Sequence, residues 1–492
     1  MRGLLLALLS ILAVPLRGDV AADLEAFARD AMRRIGTTPG LSVVVVRDEA
    51  IVYQGALGLR DVEAKLAVTP ETRFYIASST KAFTAMAAAI LAEEGKLDLD
   101  APVAAVWPEL KLTAPLDPKR FSLRDFLAMR SGLSNDSLNF RTEIGNVRTE
   151  EELLRLLATY SSEQPRTFRY SNMSYLLAAR VMEHAAGKRW SELVAEKILL
   201  PLGMTSTLTG APPADVPVAK FYRASSSGTF VRTPSALDEL AGPAGGMLTT
   251  SADAAKWLMA MMNDGRLGGR QVLPRRAVRI VQSPQTTNKR RFRYIDRFAW
   301  GLGQDLGDYE GDLIVHRFGG LNGAYSHMSF MPDRRIGVAV FANGSGAVPD
   351  AVAAYAYNLL LGKPDLAAKW SAELEKAVTA VAEAREARRK SEAPMAARTA
   401  LSRPVGAYPA RYHYDRLGDI DVTEQNGRLY AQLGLYRAEL VPVGDDAFLV
   451  DWIDEGQPAS VRFVPGADGT PARIDWGGRI FDRVKEGAAG TP

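Results

Sequence analysis

Ser78 and Lys81 stand three residues apart in the stretch FYIASSTKAFTAM, residues 74–86, where a loop gives way to an alanine-rich apolar run. Residues i and i+3 on a helix share a face, so the lysine amine would lie beside the serine hydroxyl. A free lysine, with a pKa of about 10.4, is a poor base at neutral pH. Burial and neighbouring positive charge lower that value and leave an amine able to take the serine proton. At a helix N-terminus the Ser78 N–H is also open to a developing oxyanion. The competing reading is helix capping, for which serine is a favoured residue. Against it stands the fact that no other S-x-x-K occurs in the chain.

Two further stretches carry groups of the right kind. FRYSNMSYLL, residues 168–177, offers Tyr170, whose phenol can relay a proton to a leaving group, and Asn172, whose amide can orient a substrate carbonyl. Ser137-Leu138-Asn139 could fill the same Ser-x-Asn role, but Tyr170 is preferred because its segment runs into a strongly amphipathic helix that would hold it rigidly. IVHRFGGLNGAYSHMSFMPD, residues 314–333, places a cation ahead of paired glycines at a strand end. Glycines let a substrate approach the backbone, and the cation can attract a carboxylate or polarise the tyrosine.

Other chemistries have little to stand on. The chain has no cysteine, which removes thiolate nucleophiles, disulfides and cysteine-based zinc sites. Its four histidines, His184, His316, His327 and His413, show no metal-binding spacing, and no G-x-S-x-G elbow occurs. No cofactor or metal is expected. A formal charge of +3 over 492 residues gives no electrostatic reason to expect nucleic acid.

The elements that must position these groups can be read from periodicity. A helix over ADLEAFARDAMRRIG precedes two strand-like runs, GLSVVVVRD and AIVYQGALGLRD, that form an antiparallel hairpin. A helix follows from Ser79 to Glu94, and helical patterns dominate to about residue 290. Strands return with LIVHRFGG, AYSHMSFMPD and IGVAVFANG. Strands at both ends and helices between predict an α+β domain, an antiparallel sheet flanked by helices with a helical subdomain. The expected organisation is a signal peptide over 1–22, the α+β domain over 23–365, a helical linker over 366–402 and a small antiparallel β domain over 403–492. Arg2 followed by an apolar run from Leu4 to Val14 and small residues at Val20-Ala21-Ala22 is the pattern of a cleaved leader, too short to span a bilayer. A periplasmic or secreted protein is expected, with no transmembrane segment after signal removal.

Taken in order, S-x-x-K, Tyr-x-Asn and cation-x-Gly resemble the serine β-lactamase and penicillin-binding-protein superfamily. The Tyr-x-Asn version is most similar to class C β-lactamases, D-aminopeptidases, D,D-carboxypeptidases and family VIII esterases. AMRSGLS, LLPLGMTST, AGPAGGMLTTSADAAKW and WGLG are supporting echoes. The resemblance implies a β-lactamase/transpeptidase-like fold over roughly residues 25–345, with Ser78 acylated, Lys81 as its base partner, Tyr170 transferring protons and Asn172 positioning substrate. It also implies an oxyanion hole from the backbone N–H groups of Ser78 and Gly320, and a serine hydrolase domain over 23–365. The tail from about residue 403 is similar to the small antiparallel β-barrel domains appended to some of these hydrolases. The third motif departs from pattern. Where β-lactamases have Lys-Thr-Gly and many relatives His-x-Gly, this chain has Arg317-Phe318-Gly319, with His316 taking the role if the register slips by one. Arginine keeps the charge. Phenylalanine removes a hydroxyl that β-lactam carboxylates use, which favours ester or D-amino-acid amide substrates. A β-lactamase or D,D-carboxypeptidase is the alternative, and from another class, a catalytically silent peptidoglycan- or peptide-binding protein.

Overall fold

The computed structural model describes residues 20–485 apart from 113–115, 135, 146, 148, 161, 164–165, 235–241 and 452–456. Of the expected leader, residues 1–19 lie outside the described residues, and Val20–Ala22 open the first helix, α1 (Val20–Ile35).

An antiparallel sheet, nine-stranded among the described residues, is assembled from both ends of the hydrolase region. Its strands in chain order are β1 (Gly40–Arg47), β2 (Ala50–Asp61), β3 (Leu66–Ala67), β4 (Thr286–Phe292), β5 (Ile295–Trp300), β6 (Asp305–Tyr309), β7 (Asp312–Leu321), β8 (Ala324–Met331) and β9 (Ile336–Ala342). Across the sheet they run β4-β5-β6-β7-β8-β9-β1-β2-β3. The long-range closure is β1 against β9, in a register from Leu41 opposite Ala342 to Arg47 opposite Ile336.

The sequence of β1 explains why the sheet is covered on both faces. Successive strand residues point to opposite sides, yet Val43 to Val46 are all fully buried. Leu41, Val43 and Val45 pack with α1 and with α5 (Ala347–Leu360), whereas Val44 and Val46 pack with α2 (Thr80–Glu93) and α4 (Ser251–Met262). Each valine so buried contributes about 1.5–3 kcal/mol.

The second face carries the chemistry. Helix α2 is buried at every position from Thr80 to Leu91. A helix apolar all round belongs in the interior, and its run of alanines lets neighbouring helices come close. One of them is α3 (Asn172–Ala186), capped by Ser171, whose hydroxyl accepts from the Ser174 N–H, and ended by Gly187 at φ 64°.

Beyond α5, a long helix, α6 (Leu366–Ala397), leads to eight antiparallel strands between Ala410 and Arg483 that close into a barrel. The fold is thus α+β, a helix-flanked antiparallel sheet followed by a small β-barrel.

Candidate active site

Ser78 is presented by a 3-10 turn, Ala77–Ser79, that feeds into α2. Ala77 holds a left-handed φ of 44°, a conformation an alanine adopts only when its surroundings impose it. Those surroundings are visible. The Ser326 hydroxyl on β8 donates to Ile76 O at 2.6 Å. Its single proton is spent there, so the Ser79 hydroxyl, 2.8 Å away, donates to it. The Ile76 N–H donates to Met247 O at 3.0 Å. The turn is thereby fastened to the sheet on one side and to the segment before α4 on the other. Ser78 itself stays half-buried between buried neighbours.

Lys81 lies one turn below, fully buried. Its Nζ is 3.1 Å from Ser78 Oγ, 2.6 Å from Asn172 Oδ1 and 2.6 Å from Ala244 O. The last two oxygens can only accept, so two amine protons are committed to them. What remains of the amine faces Ser78 Oγ and the Tyr170 phenol.

Tyr170 leaves the chain just ahead of the Ser171 cap and sets its hydroxyl 2.7 Å from Ser78 Oγ. Tyr170 lines the cavity beside Ser78, where a bound leaving group can meet the same hydroxyl. Burial of the phenol raises its pKa, but the positive charges of Arg317 and Lys81 outweigh that and pull it below the ordinary value.

Arg317 on β7 supplies the first of those charges. Its Nη2 donates to the Tyr170 oxygen at 2.5 Å, its Nε to Ser78 O at 3.0 Å, and its Nη1 reaches Asp305 at 3.4 Å. The guanidinium lies 5.0 Å from the ring centres of both Tyr170 and Trp300. Asp305, fully buried, also accepts from Asn288 at 2.8 Å and faces Arg297 at 3.4 Å. Burial raises the Asp305 pKa despite these cations.

His316, next along β7, does not reach Ser78 or Tyr170. Its Nε2 accepts from Arg297 Nε at 3.1 Å, and burial, reinforced by Arg297, pushes its pKa well down, which leaves it neutral. Arg317 is therefore the member of the pair that the strand delivers to the tyrosine.

Gly319 makes this delivery sterically possible. A Cβ on it would come within 2.2 Å of Ile76 O and 2.6 Å of Ser78 N. Gly320 and Ser78 line one cavity of about 380 Å³, together with Tyr170, Asn172 and Arg317. Phe318 forms part of the wall, stacked 4.1 Å from Phe292. Asn139, from the other Ser-x-Asn triplet, is engaged elsewhere: its Oδ1 accepts from the Met173 N–H at 2.8 Å, at the N-terminus of α3. Among the described residues no group of three or more His, Cys, Asp or Glu could hold a metal ion. None of their helices is long and apolar enough to cross a membrane.

Several contributors escaped the sequence reading. The carbonyl of Ala244 sits in AGPAGG, a stretch noted only as an echo, and backbone groups carry no residue signature. Asp305, Arg297 and Arg290 lie on strands that periodicity did not mark. Asp305 follows WGLGQ directly, and that adjacency was the available signal.

A nucleophilic serine geometry at the head of a buried helix, held against an antiparallel sheet, defines a serine hydrolase of β-lactamase/transpeptidase fold. The chain belongs to the beta-lactamase family, whose model matches residues 28–363. It is similar to the unguisins hydrolase ungD' of Aspergillus campestris, 26% identical over 465 residues that cover 89% of this chain and 85% of that protein. Protein flp of Staphylococcus aureus (strain COL) is 29% identical over 174 residues, so this match spans about a third of either chain, 35% of each. Among solved structures, an octameric penicillin-binding protein homologue from Pyrococcus abyssi shares the fold at a TM-score of 0.60 and 24% identity, covering 94% of this chain and 98% of that one.

Proposed function

We propose that the protein is an exported serine hydrolase that acts through an acyl-enzyme on Ser78, with carboxylic esters or D-amino-acid amides and peptides as substrates. The observation that carries this reading is the placement of Ser78 Oγ 2.7 Å from Tyr170 OH and 3.1 Å from Lys81 Nζ. Tyr170, with its pKa drawn down by Arg317 and Lys81, takes the Ser78 proton as Oγ attacks the substrate carbonyl carbon. The N–H groups of Ser78 and Gly320 hold the resulting oxyanion. Tyr170 then returns the proton to the leaving oxygen or nitrogen, the bond to it breaks, and the acyl-enzyme forms. Water, losing its proton to Tyr170, attacks the ester carbon. The bond to Ser78 Oγ breaks as Tyr170 returns that proton to it, which frees the acid product and restores the serine and the phenolate. Lys81, expected from the sequence as a neutral base beside Ser78, acts in this reading as the cation that favours the Tyr170 phenolate, and Asn172 fixes the amine and the substrate carbonyl. The apolar Phe318 wall stands where β-lactam processing calls for a hydroxyl, which supports esters and amides over β-lactams. The leader-like pattern of residues 1–22 supports export to the periplasm or beyond.

A fluorophosphonate probe tests the nucleophile: it labels the wild type and fails on Ser78→Ala, and equal labelling of the variant removes Ser78 from the role. Comparison of p-nitrophenyl esters, D-amino-acid amides and nitrocefin sorts substrates. Faster turnover of nitrocefin than of any ester or amide would replace this reading with a β-lactamase. Saturable binding that survives Ser78→Ala, with no turnover of any acyl compound, would replace it with a binding protein.

A further inference from the structure

Two arginines face the cavity, and they are in different situations. All three side-chain nitrogens of Arg317 are engaged, with Ser78 O, Tyr170 OH and Asp305. The side chain is 4% exposed and packed among Trp300, Tyr170 and Phe318. A substrate carboxylate could bind it only by displacing the contacts that tune Tyr170. Arg290 stands on β4, the edge strand of the sheet, and also lines the cavity. It is exposed, its guanidinium lies 6.0 Å over the Phe168 ring, and it makes no side-chain hydrogen bond or ion pair with a described residue. No Asp or Glu is among the described residues lining the cavity. Asp305 lies within electrostatic reach of Arg290 but forms no ion pair with it and does not line the cavity. A pocket with a hydrogen-bonding arginine fork at its wall and no acidic lining favours a negatively charged guest.

Building on the Ser78 reading, we propose that the cavity selects substrates bearing a carboxylate close to the scissile acyl group, and that Arg290 rather than Arg317 receives it. Arginine suits this role because its planar fork can meet both carboxylate oxygens. The Phe168 ring beneath it limits the orientations the fork can take.

The test compares kcat/KM within two substrate pairs. One pair places the charge on the acyl side, the p-nitrophenyl monoester of glutaric acid against p-nitrophenyl pentanoate. The other places it on the leaving group, 3-carboxyphenyl acetate against phenyl acetate. The wild type is expected to prefer the charged member of at least one pair by about five- to tenfold. Arg290→Gln removes that preference, Arg290→Glu reverses it, and Arg290→Lys restores part of it. Fluorophosphonate labelling of Ser78 in each variant shows that the site is still assembled. A charged-to-neutral ratio that is unchanged between wild type and Arg290→Gln in both pairs overturns the proposal, as does a wild-type ratio near one in both. Turnover that persists in Ser78→Ala would instead overturn the acyl-enzyme reading, whatever Arg290 does.

Discussion

At Tyr170 the geometry makes a statement about pH. Burial alone would make the phenol a weaker acid, but Arg317 at 2.5 Å and the Lys81 amine reverse the sign. In the proposed mechanism the competent base is the phenolate, so activity should rise with pH as Tyr170 loses its proton. Because the pKa is lowered, that limb lies below the ordinary tyrosine value of about 10. Arg317 is the largest of the lowering influences, so Arg317→Gln should move the limb to higher pH as well as reduce the rate. Tyr170→Phe should abolish the limb and lower kcat by about 10²–10⁴-fold, the range for loss of a positioned acid–base group. A pH profile of kcat/KM on a p-nitrophenyl ester, corrected for spontaneous hydrolysis, checks both. A limb that stays in place in Arg317→Gln would transfer the titrating role to another group.

At the scale of an element, β7 matters through what its backbone lacks. The two-residue turn at Asn322 (φ 23°) and Gly323 (φ 95°) pairs Leu321 with Ala324 and fixes Gly319 opposite Ser326. That register lays Gly319 against the turn that carries Ser78. Gly319→Ala should therefore cost about 1–3 kcal/mol through forced backbone movement and lose fluorophosphonate labelling. Gly320→Ala, whose Cβ meets only the Tyr325 ring at 3.3 Å, should melt close to the wild type. Thermal melts of the two variants side by side decide the matter, and equal losses would contradict the close approach. Much of this neighbourhood was legible. The valine run of β1, the alanine-rich α2 and the helical pattern of α3 can each be read locally, and two of the three motifs lie at the heads of α2 and α3. What was not legible has a common cause. β4 reads TTNKRRF and β6 reads DLGDY, an edge strand rich in charge and a short strand with a glycine, neither with the alternation that marks a half-buried strand. Arg290 and Asp305 were hidden with them. The choice between His316 and Arg317 needed the strand's facing, which spacing alone does not give.

For the whole molecule, the barrel packs against segments that carry the cavity wall. Ile144, from the segment that follows Thr142 on the cavity wall, is buried within the barrel's own apolar cluster. The Leu435 N–H, between barrel strands Arg428–Leu433 and Tyr436–Gly444, donates to Ile144 O at 2.9 Å. The adjacent Tyr436 hydroxyl contacts the Asn322 amide at the tip of the β7–β8 hairpin, two residues from Gly320. One barrel hairpin thus ties together two segments on which cavity residues lie. A second tie runs through Asp451, which pairs with Arg388 of α6 and with Arg223 of the hydrolase domain, each at 2.7 Å. Domains joined this way should unfold together. Ile144→Asp would bury an unpaired carboxylate in the barrel core, or expel it and leave the hairpin unsupported, at a cost of several kcal/mol. Calorimetry should show one transition for the wild type and a separate, earlier barrel transition for Ile144→Asp. Because the hairpin also steadies the cavity wall, the variant should raise KM more than it lowers kcat. Two transitions already present in the wild type, or an unaltered KM in the variant, would mean that the barrel rides on the hydrolase domain without shaping its site.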